Sequence, residues 1–150
     1  MAAPFSLLNL AVFSVDAMYH YEILVGCLLI LWASDTGAYF AGTRFGKTKL
    51  FERVSPKKSW EGFLGGAFSA IAVAFILSQY FVVLEDWKWL VIAGIIIIAG
   101  TYGDLIESLF KRSIEIKDSG SILPGHGGFM DRFDGLLLSA PFITAFLKIC

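Results

Sequence analysis

Charge is scarce in this 150-residue chain. Asp, Glu, Lys and Arg make up 17% of it, where about 25% is usual for a soluble domain. The hydrophobic residues, 57% of the total, have nowhere to hide in water, because a small domain leaves much of its surface exposed. That excludes an ordinary water-soluble enzyme and intrinsic disorder alike. Cysteine is nearly absent. Cys27 lies in an apolar run and Cys150 is the last residue, a pair that excludes a disulfide scaffold. Residues 1–15 lack the basic start of a secretory signal. Lys and Arg, 12 against 13 Asp and Glu, give a net charge of −1, so no nucleic-acid partner is expected. There is no internal repeat and no low-complexity tract. What is abundant is apolarity, at a mean hydropathy of +0.71, and the bilayer is the solvent this composition fits.

Four apolar stretches stand against the roughly 20 residues that a spanning helix needs. The first runs from about Tyr21 to Gly42 and is interrupted by Asp35. The second, Phe63 to Leu84, carries no charge. The third, Trp89 to Gly103, continues as a helical pattern through Asp104 to Phe110, and the fourth, Gly135 to Leu147, is short and contains Pro141. The expected fold is all-α, a polytopic transmembrane helix bundle with charged cytoplasmic loops, forming one membrane domain over residues 1–150. The start is abrupt, and further N-terminal spans are expected. Ten of the twelve basic residues fall in loops 43–62 and 111–134. Two spans separate those loops, so they share one side, and the positive-inside rule places it in the cytoplasm. Gly62, Gly66, Ala70 and Ala74 recur every fourth residue, a stripe that lets another helix approach closely.

Three clusters have the makings of a site. Asp104, Glu107 and Lys111 share a helix face. An acid at the end of an apolar helix is costly and normally faces a bundle interior or a watery cavity. Asp104 has no basic residue within a helical turn, so a functional role is expected for it. The densest signal is Lys117 to Asp134. There Pro124, Gly125, Gly127 and Gly128 flank His126 in a turn whose backbone N–H groups suit phosphate oxygens. Asp131 and Asp134 follow with the hard oxygen ligands that Mg²⁺ prefers. In the third, Lys57, Lys58, Ser59 and Trp60 stand at a membrane entry point, suited to phosphate or lipid headgroups. Ala41 to Thr48 fits a loose nucleotide-binding P-loop pattern but is rejected, because that motif needs a strand before it and a helix after it.

The run Ser108-Leu-Phe-Lys111-Arg112, Lys117-Asp118 and Leu123-Pro-Gly-His126-Gly-Gly-Phe-Met-Asp131-Arg132-Phe-Asp134 resembles the signature of the phosphatidate cytidylyltransferases, or CDP-diglyceride synthases. Asp35-Thr-Gly-Ala-Tyr-Phe-Ala-Gly and Ser55-Pro-Lys-Lys-Ser-Trp-Glu-Gly resemble further segments of that family. The likeness covers roughly residues 30–140 and corresponds to a catalytic C-terminal half. It implies a Mg²⁺-dependent, all-helical, dimeric membrane enzyme that makes CDP-diacylglycerol and pyrophosphate from CTP and phosphatidate. It also implies Asp104 and Asp131 as metal ligands with Asp134 beside them, and it leaves a second cation open. Catalytic roles are expected for Lys111, Arg112, Asp118, His126 and Arg132. Substrate contacts are expected for Lys57, Lys58, Ser59, Lys117, Gly127 and Gly128.

The chemistry agrees with the residue types. A phosphate anion is already a nucleophile, so joining two polyanions is chiefly a matter of position and charge neutralisation. His126 is accordingly expected to shape the loop or bind phosphate without acting as an essential base. The nearest alternative is a CTP-dependent transferase or kinase acting on another lipid phosphate or a polyprenol. A cation carrier using Asp35, Asp104 and Glu107 leaves the Gly-His-Gly-Gly loop without a task.

Overall fold

The computed structural model describes residue 6 and residues 19–51, 55–113 and 134–150. Among the described residues, four helices of 16 or more residues and one hairpin follow in chain order. Helix α1 spans Tyr21–Phe45, strands β1 and β2 span Lys49–Phe51 and Ser55–Ser59, and helix α2 spans Trp60–Tyr80. Helices α3 and α4 span Asp86–Ser113 and Asp134–Ile149. Helices of 25, 21 and 28 residues are long and apolar enough to cross a membrane. The chain is therefore a polytopic helical membrane bundle, as the composition requires. Helix α4, at 16 residues, rises about 24 Å. It is shorter than the hydrocarbon layer and packs against α3 through the buried Leu136, Ala140 and Ile143. Pro141 lies inside α4 and does not end it.

The small-residue stripe is a packing face, as its spacing predicts. Gly62, Gly66, Ala70 and Ala74 are all buried against α1. A Cβ added at Gly66 would sit 2.8 Å from the Ser34 carbonyl oxygen and 3.1 Å from the Ala38 Cβ, so only glycine allows this approach. Apolar residues gain nothing by leaving lipid for one another, and close van der Waals fit is what holds such a pair.

Two features differ from the sequence expectation. The segment between α1 and α2 is a two-stranded antiparallel hairpin with Lys49 opposite Ser59 and Phe51 opposite Ser55. Its strands of three and five residues are too short to show period-2 alternation, and Pro56 is tolerated at a sheet edge. The helix-then-strand order is also the reverse of a P-loop, which upholds that rejection. Second, α2 starts at Trp60 and stops at Tyr80, displaced from the expected Phe63–Leu84. The Ser59 Oγ caps its start by accepting the Gly62 N–H at 3.1 Å. At its end the Trp89 indole N–H donates to the Phe81 carbonyl at 3.4 Å, satisfying an acceptor the helix leaves free.

The hairpin, the start of α2 and the end of α3 share one end of the bundle, since Lys58 of β2 reaches Asp104 of α3. At the other end Lys88 Nζ donates to the Cys150 carbonyl at 2.9 Å, joining the start of α3 to the end of α4.

Candidate active site

At the hairpin end the four helices do not close. They leave a cavity of about 350 Å³, walled by Ala38, Gly42, Gly62, Gly66, Gly100 and Gly135 and carrying the polar residues Ser34, Asp35, Lys58, Thr101 and Asp104. Small side chains set its width. Gly100 of α3 and Gly135 of α4 approach so closely that a Cβ on Gly135 would lie 3.4 Å from the Gly100 Cα. The same economy of side chain that packs α1 on α2 thus leaves room beside α3.

Asp104 stands one helical turn after Gly100 and is held on both oxygens. Its Oδ1 accepts the Ser108 hydroxyl at 3.3 Å, and its Oδ2 is ion-paired with the Lys58 ammonium. The two side chains are 40% and 25% exposed, so the pair borders water without being fully solvated. The base that Asp104 lacks on its own helix comes from the hairpin. The hairpin is itself fastened to α2: the Thr48 N–H donates to the Glu61 carboxylate at 3.1 Å and the Thr48 hydroxyl donates at 3.0 Å. Asp35, on α1, lines the same cavity.

Of the residues singled out from sequence, the structure brings Asp104, Lys58 and Ser59 to one cavity. Ser59 is buried and its oxygen serves the α2 cap, a task not foreseen for it. Lys57 lies on β2, Lys111 and Arg112 on the last turn of α3, and Asp134 at the first position of α4, so their backbones converge on the cavity end of the bundle. Lys117, Asp118, His126, Gly127, Gly128, Asp131 and Arg132 lie outside the described residues. Among the described residues no three His, Cys, Asp or Glu side chains gather as a metal site.

Sequence reasoning passed over two participants. Ser108 sits at i+4 from Asp104, a spacing that could have flagged it. Asp35 was visible as the break in an apolar run, as the head of a family-like segment and as a member of the carrier alternative, but was given no place in the site.

Comparison with known proteins places this geometry in context. Residues 2–150 match the model of the Cytidylyltransferase family. A phosphatidate cytidylyltransferase of Staphylococcus epidermidis is 42% identical over 98% of the chain. Proteins of the same name from Staphylococcus aureus and Staphylococcus haemolyticus are 40% identical over the same share. In each case the chain spans 60% of the relative's length.

Proposed function

This chain belongs to the Cytidylyltransferase family, and from that premise we propose that it makes CDP-diacylglycerol and pyrophosphate from CTP and phosphatidate. The observation that carries this reading is the cavity at the end of the spanning helices, where Asp104, Asp35 and Lys58 meet between apolar walls. A water-soluble nucleotide and a membrane lipid can both reach such a place. The relatives' name supplies the substrate class.

In the proposed reaction a phosphate oxygen of phosphatidate attacks the α-phosphorus of CTP. A new P–O bond forms, the bond from the α-phosphorus to the oxygen bridging to the β-phosphate breaks, and pyrophosphate leaves with that electron pair. No proton has to be removed to create the nucleophile. The protein's part is to hold two polyanions together and offset their charge. Lys58 stands in the cavity for that purpose, and Lys111, Arg112, Lys117 and Arg132 are assigned to the same work by the sequence motif. Ser108 fixes the Asp104 carboxylate. That carboxylate fits a hard divalent cation: it faces the cavity and already takes a positive charge on Oδ2. Mg²⁺ held by Asp104, with Asp131 and Asp134, would neutralise phosphate oxygens as the bond changes. A homodimer in a bacterial cytoplasmic membrane, with both basic loops in the cytoplasm, completes the proposal.

The test is pyrophosphate release by the purified protein, dependent on CTP, phosphatidate and Mg²⁺ together. Release of CDP with a labelled polyprenol, or labelling of a different lipid phosphate, would transfer the assignment to a related enzyme. Cysteine labelling at positions 49 and 119 checks the topology, and labelling from opposite sides would remove the shared site.

A further inference from the structure

We propose that the Lys58 ammonium stands in for the divalent cation at Asp104, and that cation binding displaces it onto Asp35 across the same cavity. The inference rests on the metal reading given above and adds to it a movement of this chain's own residues.

Four observations carry it. First, the two oxygens of Asp104 are differently engaged. Ser108 donates to Oδ1, which leaves Oδ2 as the oxygen facing a cation, and Lys58 occupies it. An ammonium and a divalent cation compete for one carboxylate oxygen, because like charges at contact repel strongly in a partly desolvated site. Second, the pair is only part-buried, at 25% and 40% exposure, so its exchange does not strand a charge in an apolar core.

Third, the hairpin is fixed while the side chain is free to swing. Lys49 pairs with Ser59, Ser59 caps α2, and Thr48 is bonded to Glu61, so the backbone on both sides of Lys58 is anchored. The four-carbon stem carries a compact ammonium with three rotatable donors, which can re-aim without moving the strand. Fourth, a receiver exists. Asp35 lines the same cavity from α1 and makes no ion pair among the described residues.

Without a divalent cation, Lys58 keeps Asp104 from being an unpaired anion beside the membrane interior. With the cation in place, Lys58 moves to Asp35 and remains in the cavity, positive and within reach of an incoming phosphate. Asp35 is thus a positioning residue that acts through Lys58 and does not touch the cation.

The experiment measures Mn²⁺ binding to the purified protein without nucleotide, from the loss of the free Mn²⁺ electron paramagnetic resonance signal. Lys58→Met should bind Mn²⁺ about tenfold more tightly than the parent, in the range of coupling between contacting residues. Asp35→Asn should bind about tenfold more weakly, and that loss should vanish in the Lys58→Met/Asp35→Asn double variant. Lys58→Gln replaces Lys58→Met if the latter does not fold. Unchanged or weaker binding by both Lys58 variants overturns the proposal. So does a loss from Asp35→Asn that persists in full in the double variant, since Asp35 would then act on the cation directly. Undiminished Mn²⁺ binding by Asp104→Asn defeats the metal reading and the inference together. The predicted binding pattern in a protein that releases no pyrophosphate defeats the reaction proposal alone.

Discussion

The outer face of the α1–α2 pair carries Trp32, Phe40 and Phe68, at 57%, 66% and 77% exposure, around an apolar groove of about 1130 Å³. The inner face of the same pair carries Gly62, Gly66, Ala70 and Ala74, all buried, and opens at one end into the 350 Å³ polar cavity. In a soluble protein the large aromatic residues would be inside. Here both faces are apolar along most of their length, and size divides them. Lipid covers bulky side chains at no loss, while only small ones let two backbones come within contact distance. The inner face therefore gains stability from what its residues lack, and the cavity is a by-product of the same choice.

The contrast can be broken most severely at its polar end. Asp104→Asn keeps the side chain's size and removes its charge. Turnover should fall at least about 10²-fold, with helix content by circular dichroism unchanged; near-normal pyrophosphate release would take Asp104 out of the site. Packing on the inner face is the next test. Gly66→Leu must displace the Ser34 carbonyl and Ala38, and should cost about 1–3 kcal/mol in unfolding from detergent micelles. A neutral result would mean that α1 and α2 are not held by close approach.

His126→Gln should lower turnover by less than about 10²-fold and leave the acid side of the pH–rate profile unchanged, in contrast to the 10²–10⁴-fold expected on losing a general base. Loss at the upper end of that range with a flattened acid limb would assign it proton transfer. The smallest effect is expected outside. Phe68→Leu should change stability by no more than about 0.5 kcal/mol, and a larger loss in the same micelle assay would show that the outer face has a protein neighbour.

How much of this was readable in the sequence follows the range over which each signal acts. Spans and the four-residue stripe are local patterns; the stripe appears where expected, and the three long spans do so to within a few residues at their ends. Asp104 stood out because a lone acid at the end of an apolar helix needs a reason. Its partner did not, since nothing in the spacing around Lys58 points to α3; only the turn of the hairpin brings them together. Asp35 was legible as an interruption and as part of a family-like segment, and it was grouped with Asp104 only in the carrier alternative, since no local spacing joins α1 to α3. The hairpin escaped because a strand reading Ser-Pro-Lys-Lys-Ser has no apolar face to betray it. The end of α2 was misjudged because Phe81-Val-Val-Leu continues the hydropathy while the chain turns to let Trp89 meet the Phe81 carbonyl.

Trp89 also has a mechanical consequence. Its ring is fully buried and lies against Gly26 of α1, with no room for even a Cβ there. Asp35 is nine residues further along α1, about 14 Å along the helix axis. The Trp89–Gly26 contact is thus a fulcrum and α1 the lever above it. A methyl group added at Gly26 would press the rod to tilt. Close contacts of Ser34 and Ala38 with Gly66 hold α1 beyond that pivot, so the strain of such a methyl group would be shared between the Trp89 ring and the α1–α2 seam that leads to the cavity.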